Sequence, residues 1–514
     1  MSKTIIIIGA GLAGLSAALQ AAENGCNVKL VSSLPSERAQ SVMAEGGINA
    51  ALNTKDENDS PEEHFTDTIK AACGLADPNA VWGMTQAAPE LVHWLLKLGV
   101  KFNMSGYDDV DLRNFGGQKK KRTAFAQSDT GKQIMTAMID AVRRKEASGM
   151  VERFSHHSFL TLRLCGNICC GCVIRDEYSQ ETVELPGDAV IVATGGMHGL
   201  FGNTTGSLSN TGEVTAELFR LGVPLANGEM IQYHPTTVKC GGKRMLISEA
   251  ARGEGGRLFA MKDGKQWYFM EEKYPELGNL MPRDITAREI WKVSHESEVF
   301  LDMTEISEEI ISNKLSGLAD DCMTYLHKDI RKEPVSVLPG IHYFMGGILV
   351  DEQHRTPIQN LCAAGECCAQ YNGANRLGGN SLLGALYGGR VAAKSACEQA
   401  DVVDLSCATQ IDFPPASQIS EIKQLNKVMQ ETMGVVRNEN TLLNGIQTVQ
   451  ALTGNLPLLG MAVLKSALAR KESRGAHWRE DYPKSNDDDY LKTTVARFDG
   501  KQIQISFVPV PERR

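Results

Sequence analysis

The stretch Thr4-Ile5-Ile6-Ile7-Ile8, followed by Gly9-Ala10-Gly11-Leu12-Ala13-Gly14, decides the fold. A continuous run of β-branched residues is typical of a strand that is buried on both faces, as in a parallel sheet. The next segment, Leu15–Leu19, favours a helix, and Asn27–Val31 has the pattern of a second strand. The sequence therefore predicts a βαβ unit over residues 4–31 and an α/β fold.

Three glycines of this stretch have the spacing of a dinucleotide-binding turn. Gly9 permits the tight turn, Gly11 lets the backbone approach a pyrophosphate, and Gly14 lets the helix pack on the strand. The N-terminus of the helix then faces the phosphates. This context predicts a Rossmann-like nucleotide-binding domain.

The residues after the second strand indicate FAD rather than NAD. The acidic residue that usually binds the ribose is absent, because Ser32 and Ser33 stand there and Glu37 is the first carboxylate. Two further glycine clusters follow, at Ala44–Ile48 and at Asn372–Ser381. A long cofactor that the backbone approaches at several points explains three such turns, and FAD meets that requirement.

Composition describes an ordinary globular protein. The 514 residues include 53 Lys+Arg and 62 Asp+Glu, so the net charge is 53 − 62 = −9. A net negative charge of this size does not indicate nucleic-acid binding. No apolar run reaches the length of a membrane span, and the N-terminus lacks the basic region of a signal peptide. Thirteen cysteines without a secretory signal predict reduced thiols and a cytoplasmic location.

The strands of the predicted sheet are scattered along the chain. Ala189–Ala193 and Asn360–Ala364 read as further buried strands, so a second unit is inserted between them. After about residue 405 the apolar spacing is helical, and a short β-like tail runs from Ile503 to Val508. The charged run Lys119–Arg122 is interpreted as a solvated loop.

A series of motifs then identifies a family. In chain order they are Gly9–Gly14, Ala44–Ile48, Ala193–Gly196, Gln232–Thr236, Glu249–Gly256, Pro282–Asp284, His342–Gly347, Gly365–Cys367, Asn375–Gly378 and Glu472–His477. Over nearly its whole length the chain resembles the flavoprotein subunit of fumarate reductase and succinate dehydrogenase, and the related L-aspartate oxidase. The resemblance implies an FAD-binding domain in two parts (1–225 and 341–404), an α+β capping domain (226–340) and a mainly helical C-terminal domain (405–514).

The resemblance also implies the residues of the site. Arg283 would deliver a proton, fed through Glu249 and Arg252. A dicarboxylate substrate would be held by His234, Leu246, Ser248, His342 and Arg376. FAD would be bound by Gly9, Gly11, Ala13, Gly14, Ser32, Ser33, Ser41, Gly46, Gly47, Thr194, Gly195, Glu213, Glu366, Arg376, Ser381 and Leu382. No metal ligands are predicted.

Departures from the family pattern bear on the reaction. Gln40 stands where membrane-bound members carry the histidine that is covalently linked to the flavin, so the resemblance implies non-covalent FAD. Because that link raises the flavin potential, its absence favours fumarate reduction over succinate oxidation. Glu213 replaces an aspartate near the cofactor, and Ser248 replaces a threonine but keeps the hydroxyl.

Several alternatives stay open. L-aspartate oxidase shares the fold, the cofactor and most site residues, and another α,β-unsaturated acid is a third possible substrate. A non-catalytic flavin-binding protein is the alternative of a different class. Electrons would come from an iron–sulfur subunit or another donor. Any association with a membrane would occur through partner subunits. Among single residues, Glu249 and Arg252 alternatively form a structural ion pair, and His477 is interpreted as a packing residue. Cys169, Cys170 and Cys172 are interpreted as part of a plain strand.

Overall fold

The predicted βαβ unit is present at the start of the chain. The computed structural model describes residues 2–106, 109–399, 413 and 418–514. Its first elements are β1 (Thr4–Ile8), α1 (Leu12–Glu23) and β2 (Asn27–Ser32). The other strands are β3 (Ile48–Asn49), β4 (Leu112–Arg113), β5 (Thr123–Ala124), β6 (Val151–Ser155), β7 (His157–Cys165), β8 (Ile168–Asp176), β9 (Thr182–Pro186), β10 (Ala189–Val192), β11 (Leu225–Ala226), β12 (Ile231–Cys240), β13 (Lys243–Leu246), β14 (Arg257–Lys262), β15 (Lys265–Trp267), β16 (Val299–Asp302), β17 (Val335–Ser336), β18 (Leu338–Phe344), β19 (Gly347–Leu349), β20 (Leu361–Ala363), β21 (Cys368–Ala369), β22 (Lys492–Phe498) and β23 (Ile503–Pro509). The other helices are α2 (Pro61–Ala71), α3 (Pro78–Lys97), α4 (Thr130–Ala147), α5 (Glu213–Arg220), α6 (Glu249–Gly253), α7 (Phe269–Lys273), α8 (Arg283–Val293), α9 (Glu308–Lys314), α10 (Ser316–Asp321), α11 (Asn380–Gln399), α12 (Ile419–Thr432), α13 (Glu439–Val449), α14 (Asn455–Ala469) and α15 (Asp487–Tyr490).

A parallel sheet organises the nucleotide-binding part. Its strand order is β20-β10-β1-β2-β6, and every neighbouring pair is parallel. Ile5, Ile6 and Ile7 of β1 are wholly buried, which explains the unbroken β-branched run. The predicted strands at 189–193 and 360–364 are β10 and β20, so the prediction of an α/β fold with a scattered sheet is confirmed.

Small residues let α1 lie close against α11. A Cβ on Gly389 would lie 2.3 Å from the carbonyl oxygen of Ala13. The Ser16 hydroxyl donates a hydrogen bond to the carbonyl of Leu386 at 2.7 Å. Because α11 follows the third glycine cluster and α1 follows the first, this packing brings two distant glycine turns to one edge of the sheet.

A second core forms in the inserted region. The antiparallel sheet β15-β14-β16-β17 packs with the helices α7–α10 around Leu258, Ile290, Leu301 and Leu318, which are all 1% exposed or less. This arrangement agrees with an inserted capping unit, while the boundaries 226 and 340 stay predictions.

The C-terminal region is helical and then returns to a sheet. On α12, the predicted apolar residues Leu425 and Met429 are wholly buried against α14. The tail is more than an isolated strand, because β22 pairs with β11 in the five-stranded sheet β21-β19-β11-β22-β23. The predicted boundary at residue 405 lies outside the described residues.

Two sequence expectations need correction. Arg122 is not in a solvated loop: its side chain is wholly buried and pairs with Asp59 at 2.8 Å and Asp67 at 3.0 Å. Eleven of the described cysteines are free thiols, but Cys165 is disulfide-bonded, so the expectation of uniformly reduced thiols is wrong there.

The remaining cysteine interpretation is confirmed. Cys169, Cys170 and Cys172 lie buried on the plain strand β8, where burial raises the pKa of the Cys169 thiol to about 12. Among the helices that the structure describes, none has the length and apolar character needed to cross a bilayer.

Candidate active site

The glycine turn between β1 and α1 leaves room for a phosphate. A Cβ on Gly9, whose φ is +112°, would lie 2.3 Å from the Ala193 carbonyl oxygen. A Cβ on Gly14 would lie 1.8 Å from the carbonyl oxygen of Gly9. At Gly11 the nearest atom is Ser41 Oγ, at 3.7 Å. The first and third glycines are therefore required by the protein's own packing. A Cβ on Gly11 would make only ordinary van der Waals contacts, so the glycine at this position, before the helix N-terminus, fits the close approach of a pyrophosphate.

Serine side chains border the same turn. Ser32 Oγ, at the end of β2, is buried and has no hydrogen-bond partner among the described residues, which fits a ribose hydroxyl. Ser41 Oγ accepts a hydrogen bond from the backbone N–H of Leu12 at 3.3 Å. Gln40 directly precedes it in the same turn, whereas Ser33 is exposed.

The other predicted cofactor residues follow the carboxyl ends of neighbouring strands. Thr194 and Gly195 come after β10, and Glu366 comes after β20. A Cβ on Gly196 would lie 2.6 Å from Glu366 Oε1, so the two loops touch. The backbone N–H of Asn49 donates to the carbonyl of Gly379 at 3.1 Å, which brings the second and third glycine clusters together. Gly46 and Gly47 precede Asn49 in the chain, and Ser381 and Leu382 follow Gly379 in the first turn of α11.

Glu213 is the exception in this set. Its side chain is exposed at the first turn of α5. Its charged neighbours are Arg175 and Glu177, rather than residues of the glycine turn.

The predicted proton-transfer residues form one buried chain of contacts. Arg283, at the start of α8, donates from Nε and Nη2 to Glu249 Oε2 at 2.8 and 2.5 Å. Arg252 Nη2 donates to Glu249 Oε1 at 3.2 Å. The third nitrogen of Arg283, Nη1, donates to Gln232 Oε1 at 3.0 Å. Glu249 thus separates two arginines, and Gln232 fixes the plane of the guanidinium at the centre.

Arg376 supplies a further buried cation without a carboxylate of its own. Its guanidinium lies over the ring of Tyr343, with 4.1 Å between Cζ and the ring centroid. It makes no ion pair within 4.0 Å in the part of the chain described, and its Nε is buried without a partner. Burial and the nearby Arg283 lower the pKa of Arg376 to about 9.

Two predicted substrate histidines face each other across paired strands. His234 lies at a register shift of β12, and His342 lies on β18. Their ring centroids are 5.1 Å apart. Burial, followed by the charge of Arg283, holds the pKa of both imidazoles well below the usual range, so both are neutral at physiological pH. His234 Nε2 is buried, with no hydrogen-bond partner among the described side chains and backbone.

The two remaining substrate candidates lie on the capping side. Leu246 ends β13, where it pairs with Thr237 of β12. Ser248 is the N-cap of α6, and its hydroxyl accepts a hydrogen bond from Ala250 N–H at 3.4 Å. The hydroxyl also lies beside the carboxyl of Glu45.

The charges of this cluster leave a positive excess. Burial opposes ionisation of Glu249, but Arg283 and Arg252 together hold its pKa below the ordinary value. Glu249 is therefore an anion, and the four side chains Arg252, Arg283, Arg376 and Glu249 give 3 − 1 = +2. Glu366, which makes no ion pair with Arg376 within 4.0 Å but acts on it electrostatically, is not counted in this sum. Such an excess suits a dianion better than a neutral or singly charged ligand.

Sequence reasoning missed several neighbours of these residues. Gln232 belongs to the motif Gln232–Thr236, but the motif does not predict its contacts: its Oε1 accepts from Arg283 at 3.0 Å, and its Nε2 donates to the carbonyl of Arg376 at 2.9 Å. Phe115 packs so closely that a Cβ on Gly46 would lie 2.7 Å from its ring, and the pair Gly116-Gly117 beside it was the available signal. Gly116 N–H also donates to Glu249.

Comparison with known protein families also identifies an FAD-binding protein. Residues 4–382 match the family described as FAD binding domain, and residues 452–513 match the one described as fumarate reductase flavoprotein C-term. The first match identifies an FAD-binding domain in this chain. It covers well over half of the chain.

Individual relatives of the chain are flavoprotein subunits of succinate dehydrogenase and fumarate reductase. The succinate dehydrogenase flavoprotein subunit of Bacillus subtilis is 38% identical, with 100% of this chain and 98% of the relative covered. The 8-methylmenaquinol:fumarate reductase flavoprotein subunit of Wolinella succinogenes is 32% identical, with coverage of 100% and 92%. A solved structure of E. coli quinol fumarate reductase FrdA superimposes with a TM-score of 0.90 at 27% identity, covering 99% and 97%. The chain belongs to the family of succinate dehydrogenase and fumarate reductase flavoprotein subunits.

Proposed function

We propose that this chain binds FAD non-covalently and reduces fumarate to succinate, with the reverse reaction as a minor activity. The observation that carries this proposal is the buried cluster of Arg252, Glu249, Arg283 and Arg376, with its excess of two positive charges. Fumarate is a planar dianion whose two carboxylates such a cluster neutralises. Bidentate arginine contacts also fix the orientation of a carboxylate.

The chain's own residues would bind and orient the substrate. Arg376 and His342 would hold one carboxylate, and His234 and Ser248 would hold the other. Both histidines are neutral, so each contributes a hydrogen bond rather than a charge. Clamping both ends fixes the double bond between them, and such positioning lowers the barrier by several kcal/mol. The flavin, when bound, supplies the hydride.

Arg283 would then deliver the proton to the other alkene carbon. Gln232 holds Nη1 in place, while Glu249 bonds Nε and Nη2. Glu249 also contacts Arg252, whose Nη1 donates to the carbonyl of Asn279 at 2.6 Å. This series of contacts would return a proton to Arg283 after each turnover.

Gln40 supports non-covalent binding and the reductive direction. A glutamine has no nucleophilic nitrogen with which to attach a flavin, and it lies next to the Ser41 contact of the glycine turn. We expect acid precipitation of the yellow protein to release all flavin into the supernatant. Flavin that stays with the precipitated chain would contradict this part of the proposal.

A substrate panel tests the reaction itself. The purified flavoprotein is assayed with reduced viologen and fumarate, with reduced viologen and other α,β-unsaturated acids, and with L-aspartate and oxygen. We expect fumarate-dependent oxidation of the viologen and no peroxide from aspartate. Peroxide formation without fumarate reduction would instead assign the aspartate oxidase reaction. An iron–sulfur subunit or another donor would supply the electrons in the cell.

A further inference from the structure

A short loop is attached by its backbone to the strand that carries His342. The Thr205 N–H donates to the carbonyl of Ile341 at 2.9 Å, and Thr204 forms a parallel bridge with the same residue. The position of Thr205 relative to β18 is therefore set by main-chain contacts. Its side chain is free to serve another purpose.

The hydroxyl of Thr205 lies against the inner nitrogen of His342. The distance from Thr205 Oγ1 to His342 Nδ1 is 2.8 Å, whereas the other acceptor in reach, the Ile341 carbonyl oxygen, is at 3.4 Å. The contact fits either an O–H that donates to Nδ1, or an Nδ1–H that donates to Oγ1 while the hydroxyl turns to the Ile341 carbonyl. At 3.4 Å the bond to that carbonyl is long, so the geometry favours donation of the hydroxyl proton to Nδ1. Donation to Nδ1 requires that this nitrogen carry no proton.

The protonation state of His342 then follows. The ring is neutral, because burial and the charges of Arg283 and Arg376 disfavour the imidazolium. A neutral imidazole carries one proton, and the partner of one nitrogen determines where that proton lies. With Nδ1 as an acceptor, the proton is on Nε2.

This deepens the function proposed above and rests on it: we propose that Thr205 is a positioning residue that holds His342 as the Nε2–H tautomer, so that His342 donates a hydrogen bond to a substrate carboxylate. In the opposite tautomer a lone pair on Nε2 would face the carboxylate and repel it. Thr205 therefore acts on substrate binding through His342, without touching the substrate.

Kinetics of matched variants give the first test. Thr205→Val keeps the shape of the side chain and removes the hydroxyl. We expect the KM for fumarate to rise about tenfold while kcat changes less than about twofold, because a uniform binding contact is lost. Thr205→Ser should restore KM to within about twofold of the wild type, and the FAD content should be the same in all variants.

A control in the same loop excludes a general disturbance. Ser207→Ala also removes a hydroxyl, which accepts a hydrogen bond from the N–H of Ser209 at 3.2 Å. We expect its KM to equal that of the wild type. An unchanged KM in Thr205→Val, or an equal rise in Ser207→Ala, would overturn the proposal.

A spectroscopic test does not depend on turnover. In ¹⁵N-histidine-labelled flavoprotein, the His342 signal is assigned by its loss in His342→Asn. We expect nitrogen shifts of the Nε2–H tautomer in the wild type and of the Nδ1–H tautomer, or a mixture, in Thr205→Val. The Nδ1–H tautomer in the wild type, or no change in the variant, would refute the role of Thr205. A wild type that shows the expected tautomer yet does not reduce fumarate would refute only the proposed function.

Discussion

Glu249 joins two arginines that would otherwise repel each other. Both partners are buried, and each carboxylate oxygen is used by one of them, with Gly116 N–H as a third donor. Gln232 accepts a hydrogen bond from the remaining nitrogen of Arg283. The arrangement keeps the face of that guanidinium fixed, as proton delivery to one carbon requires.

The first residue-scale prediction concerns Arg283. Arg283→Gln keeps hydrogen-bonding capacity but removes the charge and the acid, so we expect fumarate reduction to fall about 10³-fold while FAD stays bound. Arg288→Gln is the matched control on the same helix, because the Arg288 guanidinium lies over the Trp478 ring, 4.0 Å from its centroid. A variant at Arg283 that keeps a tenth of the activity would contradict the assigned role.

The second residue-scale prediction concerns Glu45 and pH. Burial, then the nearby Asp321, raise the pKa of Glu45 from 4.5 to about 8, although Arg113 opposes the shift. Between these values the folded state holds a proton that the unfolded state lacks, so stability falls as pH rises, by up to about 1.4 kcal/mol per pH unit. Glu45→Gln should remove this component.

Apparent melting temperatures at pH 5, 6.5 and 8 measure the effect. The gain of Glu45→Gln over the wild type should increase with pH across this series. Glu37→Gln is the control, because Glu37 is half exposed and pairs with Arg143 at the surface. A constant difference between Glu45→Gln and the wild type at all three values would contradict the raised pKa.

At the scale of elements, local sequence patterns predicted those helices, strands and turns that depend on neighbouring residues in the chain. The buried run of β1, the glycine turn and the 3.6-residue spacing of α12 each correspond to an observed element. Contacts between distant segments were not predictable in this way. Arg122 in a basic run is buried because Asp59 and Asp67 lie more than fifty residues earlier in the chain.

The side-chain contacts within the site could not be predicted from the sequence for the same reason. Gln232 and Thr205 are ordinary polar residues in the sequence. Gln232 meets Arg283 only because α8 packs against β12, and Thr205 meets His342 only because its loop bridges to β18. The motif resemblance named the groups expected to touch the substrate. It carried no information on the residues that position them.

Two glycines of the turn between β1 and α1 have different roles: we expect Gly14 to be needed for stability and Gly11 for FAD binding. Gly14→Ala should destabilise even the FAD-free protein by about 1–3 kcal/mol, because its Cβ would overlap the Gly9 carbonyl oxygen. Gly11→Ala meets no atom closer than 3.7 Å, so its FAD-free melting temperature should equal that of the wild type while FAD affinity falls at least tenfold. Equal FAD affinity in Gly11→Ala and the wild type would refute the pyrophosphate position.

At the scale of the whole molecule, the buried side chain of Arg470 contacts both the C-terminal region and Glu229, which follows β11. Arg470 Nε donates to Glu229 at 2.7 Å, its Nη1 donates to Glu472 at 2.7 Å, and all three side chains are wholly buried. Arg470 Nη2 donates to the Thr494 hydroxyl on β22 at 2.7 Å. Arg470, which directly follows α14, therefore connects this helix with β22 of the tail hairpin and with Glu229, between β11 and β12.

Removing that cation leaves the buried carboxylate of Glu229 without an ion-pair partner among the described residues, while Glu472 keeps Arg474 at 2.9 Å. Arg470→Met should destabilise the protein by about 3–5 kcal/mol, as measured by chemical unfolding. Arg497→Met removes an exposed arginine from β22 and should have an effect of less than about 0.5 kcal/mol. Similar unfolding midpoints for the two variants would show that the buried network does not hold the region together.

The most direct measurement compares the two directions in the purified flavoprotein. Fumarate-dependent oxidation of reduced viologen and succinate-dependent reduction of an oxidising dye are measured under the same conditions. We expect fast fumarate reduction and a succinate rate at least tenfold lower, because the proposed absence of a covalent link at Gln40 would keep the flavin potential low. No turnover of fumarate, or a succinate rate equal to or above it, would contradict the account.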